Sequence, residues 1–264
     1  MSTPKSPLPS SIPALVTGAS SGLGVEFARQ LAERGHDVTL VARRKDRLET
    51  LASELEKHFK VATTVLVADL ESPAGRSAVV STLGDGRAWI VVNNAGFGTH
   101  GRYAELEPAR EIAEVMLNVV AVEELTAAAV RACVPARSGG VINVASTAAF
   151  QPIPYMATYA ATKAFVLSFT EALALELDGS GVRMLAFCPG PVDTEFSDVA
   201  RNGHVLTMRN PMAADAVVRT ALRAFELEKT ICVPGRRNAV SATGVRFLPR
   251  IVLRRVVGKL FKPA

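Results

Sequence analysis

Tyr159 and Lys163 stand four residues apart in "YAATK", inside a helical pattern, so their side chains share one face. A tyrosine ordinarily keeps its proton to near pH ~10, too high for acid–base work at neutrality. A nearby ammonium stabilises the phenolate and lowers that value. Bringing a phenol down by about three units needs roughly 4 kcal/mol, which the ammonium and a second close cation such as an oxidised nicotinamide could supply in a dry crevice. Ser146 follows an apolar run, and its hydroxyl could hold a substrate carbonyl. Together these three side chains suit proton transfer at a carbonyl or alcohol. A Tyr-x-x-x-Lys pair alone also occurs on ordinary helix surfaces. Its company decides between the two readings.

Part of that company is Thr17-Gly18-Ala19-Ser20-Ser21-Gly22-Leu23-Gly24, set between a strand pattern and a helical one. Glycines allow a tight turn and a close approach of backbone to ligand. The helix that follows points free N–H groups at the turn, which suits a pyrophosphate. The spacing is G-x-x-x-G-x-G rather than G-x-G-x-x-G, and a glycine-rich turn without a ligand is the plain alternative. The second strand bears on the nucleotide. An acid at its end would accept hydrogen bonds from an adenosine ribose and repel a 2′-phosphate. Here Ala42 is followed by Arg43 and Arg44. Arginine matches phosphate geometry with parallel donors. One such contact is worth roughly 1.5–3 kcal/mol, or about 10- to 100-fold in favour of NADP over NAD. The alternative places both arginines in a solvated first helical turn, where the positive helix end disfavours them. Arg43 is the expected 2′-phosphate contact, with Arg44 as a flanking or stacking cation.

These residues need a scaffold, and the chain alternates strand and helix patterns. Short apolar runs at 12–17, 37–42, 62–68, 88–94, 140–145, 182–188 and 230–234 predict seven strands. Helical stripes follow the first two, a short helix lies between the third and fourth, and longer helices are predicted over 108–133, 157–178 and 211–228. Nearly continuous apolar strands separated by helices imply a parallel sheet covered on both faces. The expected fold class is α/β: a Rossmann-like, doubly wound parallel sheet of about seven strands, plus a basic C-terminal helical extension. Its ligand crevice lies at the carboxyl ends of the strands. The expected organisation is a disordered leader over 1–11, one Rossmann-fold domain over 12–235 and an extension over 236–264.

With 264 residues, 48% hydrophobic, the chain can bury a large core without staples. Cys133, Cys188 and Cys232 have no metal-ligand spacing and cannot all pair, so no metal is expected and a reducing cytoplasm is the expected compartment. No run of about 20 apolar residues predicts a membrane span. The net charge is +5, but residues 236–264 hold eight basic residues and no acid, which leaves −3 for residues 1–235. A slightly acidic body without a reading module argues against nucleic-acid binding.

The motifs taken together resemble the short-chain dehydrogenase/reductase family, over about residues 12–235. The resemblance rests on "TGASSGLG", the "AD" ending at Asp69, "NNAG" at 93–96, Asn118, "VASTAA" with Ser146, "YAATK" and "PGPVDT" at 189–194. The Ala42-Arg43 pair resembles the NADP-preferring members. The resemblance implies an NADP(H)-dependent enzyme interconverting a ketone or aldehyde and an alcohol. By position it implies that Gly18, Ser20, Ser21, Leu23 and Gly24 line the pyrophosphate and ribose. Asp69 and Leu70 would flank the adenine, and Asn94, with Ala95 and Gly96, would lie along the adenosine side. Tyr159 would be the general acid, Lys163 would lower its pKa and bind the nicotinamide ribose, and Ser146 would orient the carbonyl. Asn118 would hold a water that relays protons to Lys163. Pro189, Gly190, Val192 and Thr194 would meet the carboxamide and nearby phosphate. The family also implies a homodimer or homotetramer built through the two long helices.

In the family the loops after Ser146 and Thr194 wall the substrate pocket. Phe97, Phe150, Ile153, Tyr155, Met156 and Phe196 would make it apolar, with His100 as either a polar contact or a surface residue. A hydrophobic carbonyl or alcohol substrate is expected. In the tail, Arg250, Arg254, Arg255 and Lys259 group on one predicted helical face and Ile251, Val252, Val256 and Leu260 on another. Such a helix could lie peripherally on an anionic membrane or pack over the substrate loops with its charges solvated. The competing functional class is a non-catalytic NADP(H)-binding protein recruited to membranes or partners by that tail.

Overall fold

A computed structural model describes residues 11–193, 211–247 and 249–263. The expectations for 1–10, Thr194 and Phe196 lie outside the described residues, as do the side chains of Arg246, Arg250 and Val252. The strands are β1 Ala14–Thr17, β2 Val38–Ala42, β3 Thr63–Val67, β4 Ile90–Asn93, β5 Gly140–Val144, β6 Arg183–Phe187 and β7 Ile231–Cys232. They form one parallel sheet in the order β3-β2-β1-β4-β5-β6-β7. Every residue of β1, β4, β5 and β6 is buried, which is why these strands read as nearly continuous apolar runs.

The helices are α1 Gly22–Glu33, α2 Lys45–Phe59, α3 Pro73–Leu83, α4 Pro108–Val115, α5 Ala121–Ala136, α6 Ala157–Glu176, α7 Ala214–Glu226, α8 Arg236–Gly244 and α9 Arg250–Leu260. Alternate strand residues point to opposite faces of the sheet. Val16, Leu40 and Val92 therefore meet α1, α2 and α7 through Phe27, Leu48 and Val217. Leu15, Val41 and Val91 meet α3 and α5 through Val79, Leu83 and Leu125. The rings of Phe27 and Phe187 add an edge-to-face contact at 5.8 Å. Strand order reverses between β1 and β4, so a crevice opens there at the carboxyl ends.

Two local features depart from expectation. The predicted helix over 108–133 continues to Ala136 and is interrupted by a π turn at Met116–Val120. The widened turn carries Asn118, which is fully buried. The second correction concerns α9. Its buried face is Leu253 and Val257, continued by Phe261, packed on Ile153, Met156 and Tyr159. Ile251, Val256 and Leu260 of the expected apolar face are exposed, as are Arg254, Arg255 and Lys259. The helix offers more than one apolar stripe, and the neighbour it meets selects among them. No helix among the described residues is long and apolar enough to cross a membrane.

Candidate active site

One cleft of about 900 Å³ runs from the Gly18 turn to Tyr159 and on to α9. At its first end β1 passes directly into α1. Gly18 has φ +66°, and a Cβ on Gly24 would lie 2.1 Å from the Gly18 carbonyl oxygen, so α1 seats on the turn only without a side chain there. Asn94 Nδ2 donates to the Thr17 carbonyl at 2.9 Å, and Thr17 Oγ1 accepts from the N–H groups of Asn94 and Ala95 at 3.0 Å each. Asn94, expected along the nucleotide, thus also clamps β4 to the glycine turn. Thr17 was not singled out in the sequence, although its place at the strand end was visible. The free first-turn N–H groups of α1 and this side-chain-free seat fit a dinucleotide pyrophosphate.

The two arginines do different things. Arg44 reaches back to Ser20, with Nε and Nη2 donating to its Oγ at 3.0 and 2.9 Å. Arg43 is mostly exposed and pairs with Glu71 at 3.0 Å. Both line the cleft with Ser20, Asp69, Leu70 and Glu71. Arg44, expected to flank or stack, is held at the glycine loop, where Arg47 Nη1 also reaches the Ser20 carbonyl at 3.5 Å. Glu71 gave no sequence signal, because nothing along the chain couples it to Arg43.

At the middle of the cleft Ser146 hydrogen-bonds Tyr159 while its Oγ accepts from the Ala148 N–H at 3.1 Å. Lys163 Nζ lies 5.8 Å from the centroid of the Tyr159 ring and donates to the Val144 carbonyl at 2.8 Å. Asn118 is fully engaged by its neighbours. Its Nδ2 donates to the Phe97 carbonyl at 2.8 Å and to Thr162 Oγ1 at 3.1 Å, while its Oδ1 accepts from the Phe97 N–H at 3.2 Å. Both amide hydrogens are in use, so its side chain serves as a clamp on the Phe97 loop. Gly190 packs against Asn238 of α8, and Pro189 accepts from the Thr147 N–H at 2.9 Å. Pro189, Gly190 and Val192 line the cleft.

Burial dominates the electrostatics of the chain's own groups. Burial pushes Tyr159 up to about 12, and only the Ser146 hydrogen bond opposes it. Burial lowers Lys163 to about 8, with Glu114 pulling it back up. The chain's own groups therefore hold the phenol protonated at neutral pH, because desolvation, with Glu114 adding to it, outweighs the Ser146 hydrogen bond.

The far end is apolar. Phe97, Ile153, Met156, Val257, Leu260 and Phe261 face the cleft, whereas Phe150 and Tyr155 pack away from it. The Arg110 guanidinium lies 3.6 Å above the Phe97 ring and also lines the cleft. His100 is not a cleft residue: its Nε2 bonds the Phe261 carbonyl at 2.8 Å and ties the tail to the loop after β4.

A family model described as short chain dehydrogenase matches residues 13–204. Sulfoacetaldehyde reductase 2 of Chromohalobacter salexigens is 33% identical over 82% of this chain and 85% of its own length. Very-long-chain 3-oxoacyl-CoA reductase of Bos taurus is 28% identical over 85% of this chain and 70% of its own. Among solved structures, a short-chain dehydrogenase from Sphingobium yanoikuyae in complex with NADPH superposes with a TM-score of 0.83 at 35% identity, covering 92% of this chain and 95% of that one. The bulky-bulky ketone specific alcohol dehydrogenase of Comamonas testosteroni superposes at 0.79 and 31% identity, covering 90% and 93%. The matched segment holds the glycine turn, Ser146, Tyr159 and Lys163, and on it this chain belongs to the short-chain dehydrogenase family of oxidoreductases.

Proposed function

We propose that this protein is an NADP(H)-dependent oxidoreductase that interconverts a bulky hydrophobic ketone and its alcohol. The observation that carries the reading is the Ser146–Tyr159 hydrogen bond, with Lys163 beside it, in the same cleft as the glycine turn. Arg43 and Arg44 at the nucleotide end favour the 2′-phosphate, in keeping with the NADPH named for the Sphingobium relative. The apolar far end favours a large apolar substrate, in keeping with the bulky ketones named for the Comamonas relative.

A bound nicotinamide would supply or accept the hydride. Gly18, Ser20, Ser21, Leu23 and Gly24 would hold its pyrophosphate side, with Asn94, Ala95 and Gly96 alongside. Ser146 orients the carbonyl oxygen, and Tyr159 delivers its proton to that oxygen. A phenol held up at about 12 suits this direction, since it arrives protonated at neutral pH. Lys163 places its positive charge beside the tyrosine as phenolate character develops. Asn118 fixes the Phe97 loop that borders the reacting groups. Exposed Ile112, Phe165 and Leu175 on α4 and α6 favour assembly into a homodimer or homotetramer through those helices.

Tyr159→Phe tests this. Turnover of NADPH with a bulky apolar ketone should fall roughly 100- to 10,000-fold, while NADPH affinity stays within about twofold. Turnover near the wild-type level would refute the role of Tyr159.

A further inference from the structure

A fully buried carboxyl group stands in the seam behind Tyr159 and Lys163. Two side-chain bridges set α4 and the π turn against α6. The Thr158 hydroxyl donates to Glu111 Oε2, and Asn118 Nδ2 donates to Thr162 Oγ1 at 3.1 Å. Glu111, Glu114 and Asn118 follow at helical spacing on one face, so Glu114 points into the seam between those rungs. Tyr159 and Lys163 are the residues next to the two bridging threonines. From the loop after β4, Thr99 Oγ1 donates to Glu114 Oε2 at 2.9 Å. Glu114 Oε1 has no hydrogen-bond partner. Gly96 lies where the seam meets the lysine: a Cβ there would sit 2.8 Å from Asn118 Oδ1 and 3.5 Å from Lys163 Nζ.

Lys163 is only 5% exposed, and one carbonyl satisfies one of its three donors. An ammonium buried without an anion is unfavourable by several kcal/mol or sheds its proton. Among the described residues, the ionisable groups that face it are few. Cys188, past the end of β6, has its thiol pushed up to about 12 by burial, and Tyr159 is likewise held at about 12, so both are neutral. His100 is tied to the Phe261 carbonyl and Arg110 lies over Phe97. Glu111 has one oxygen bridged to Thr158 and the other unpartnered, as in Glu114, but it is Glu114 whose charge bears on Lys163. We propose that Glu114 is the buried counter-ion that holds Lys163 in its ammonium form, a positioning residue that acts on Tyr159 through the lysine.

The two charges depend on each other. Burial raises Glu114 to about 7, with Glu111 adding to the rise and Thr99 and Lys163 opposing it. Burial lowers Lys163 to about 8, and Glu114 opposes that. Below about pH 7 Glu114 keeps its proton and Lys163 is charged because the pH lies under its own midpoint. Between the two midpoints both are ionised and attract each other across the seam. Above about 8 the lysine proton is lost. Removing the carboxylate takes away support for the ammonium, so the lysine midpoint must fall.

The kinetic meaning of this pair rests on the function proposed above; its existence does not. The full-length protein, labelled with lysine 13C at Cε, is titrated from pH 5 to 10 by NMR. Lys163 is identified by the signal lost in Lys163→Arg. In the wild type it should titrate near pH 8, below the surface lysines. In Glu114→Gln its midpoint should drop by about one unit or more, and Glu114→Asp should recover part of the shift. An unmoved midpoint in Glu114→Gln overturns the proposal, as does a wild-type Lys163 that titrates with the surface lysines. Should Glu114→Gln fail to fold, Thr99→Val weakens the carboxylate form instead. It should lower the midpoint by a smaller step, and no shift again overturns the proposal. Turnover in Tyr159→Phe would refute the functional reading and leave the counter-ion intact. An unmoved lysine would do the reverse.

Discussion

The two ends of the cleft are built differently. The nucleotide end is made of short segments at strand ends: the Gly18–Gly24 turn, Arg43 and Arg44 after β2, and Asn94 after β4. Much of its contact is backbone, and adjacent parallel strands bring those segments together. The substrate end joins the loop after β5 to α9, about a hundred residues further along. Its core contacts are side chain to side chain, and a histidine bond helps pin the tail to the loop after β4. A nucleotide site of this kind tolerates little backbone change, because each element approaches at van der Waals distance. The substrate site is a replaceable wall, where side-chain size sets what fits.

Four substitutions test that contrast. Gly24→Ala should do most damage, because its Cβ would lie 2.1 Å from a backbone oxygen and α1 must move off the turn. NADPH affinity, followed by fluorescence titration, should fall about 100-fold or more, since a displacement near 1 Å has that scale of effect. A nearly normal affinity would mean the turn has slack. Arg44→Ala comes next. It should weaken NADPH by about 10- to 100-fold and NADH far less. Arg43→Ala should cost less than Arg44→Ala, because Arg43 is exposed and already paired with Glu71. A reversed ranking would return the 2′-phosphate contact to Arg43. Phe261→Ala acts at the other end. The KM for a bulky apolar ketone should rise about 10-fold, the scale of a lost apolar contact, with NADPH affinity unmoved. Equal losses in substrate and nucleotide affinity would erase the distinction between the ends.

The legible parts share one property: their meaning is local. The strands were readable because apolar runs mark burial on both faces, and their ends were trimmed by one to three residues where the chain turns into loops. The glycine turn was readable because only glycine permits that approach of α1. Ser146, Tyr159 and Lys163 were found by type and spacing, and the fold brings them into one cleft. Other parts were not readable. Arg43 and Arg44 have the same local pattern, and Glu71 and Ser20, distant in sequence, separate their roles. The apolar face of α9 was misread because more than one stripe suits a helix, and only Ile153 and Met156 show which one is covered. The rise of Tyr159 in the chain alone was not legible, because the depth of burial that causes it does not appear in the sequence.

Residue types and periodicity were thus enough for the α/β alternation, the family motifs and the identity of the chemical groups. These depend on contacts within a turn of helix or one strand. Tertiary structure decided the rest: which arginine is held, what Asn118 bonds, which face of α9 is buried, and that Glu114 lies behind Lys163. Each of those is a competition between long-range contacts and desolvation, and neither quantity exists until the sheet has brought distant segments together.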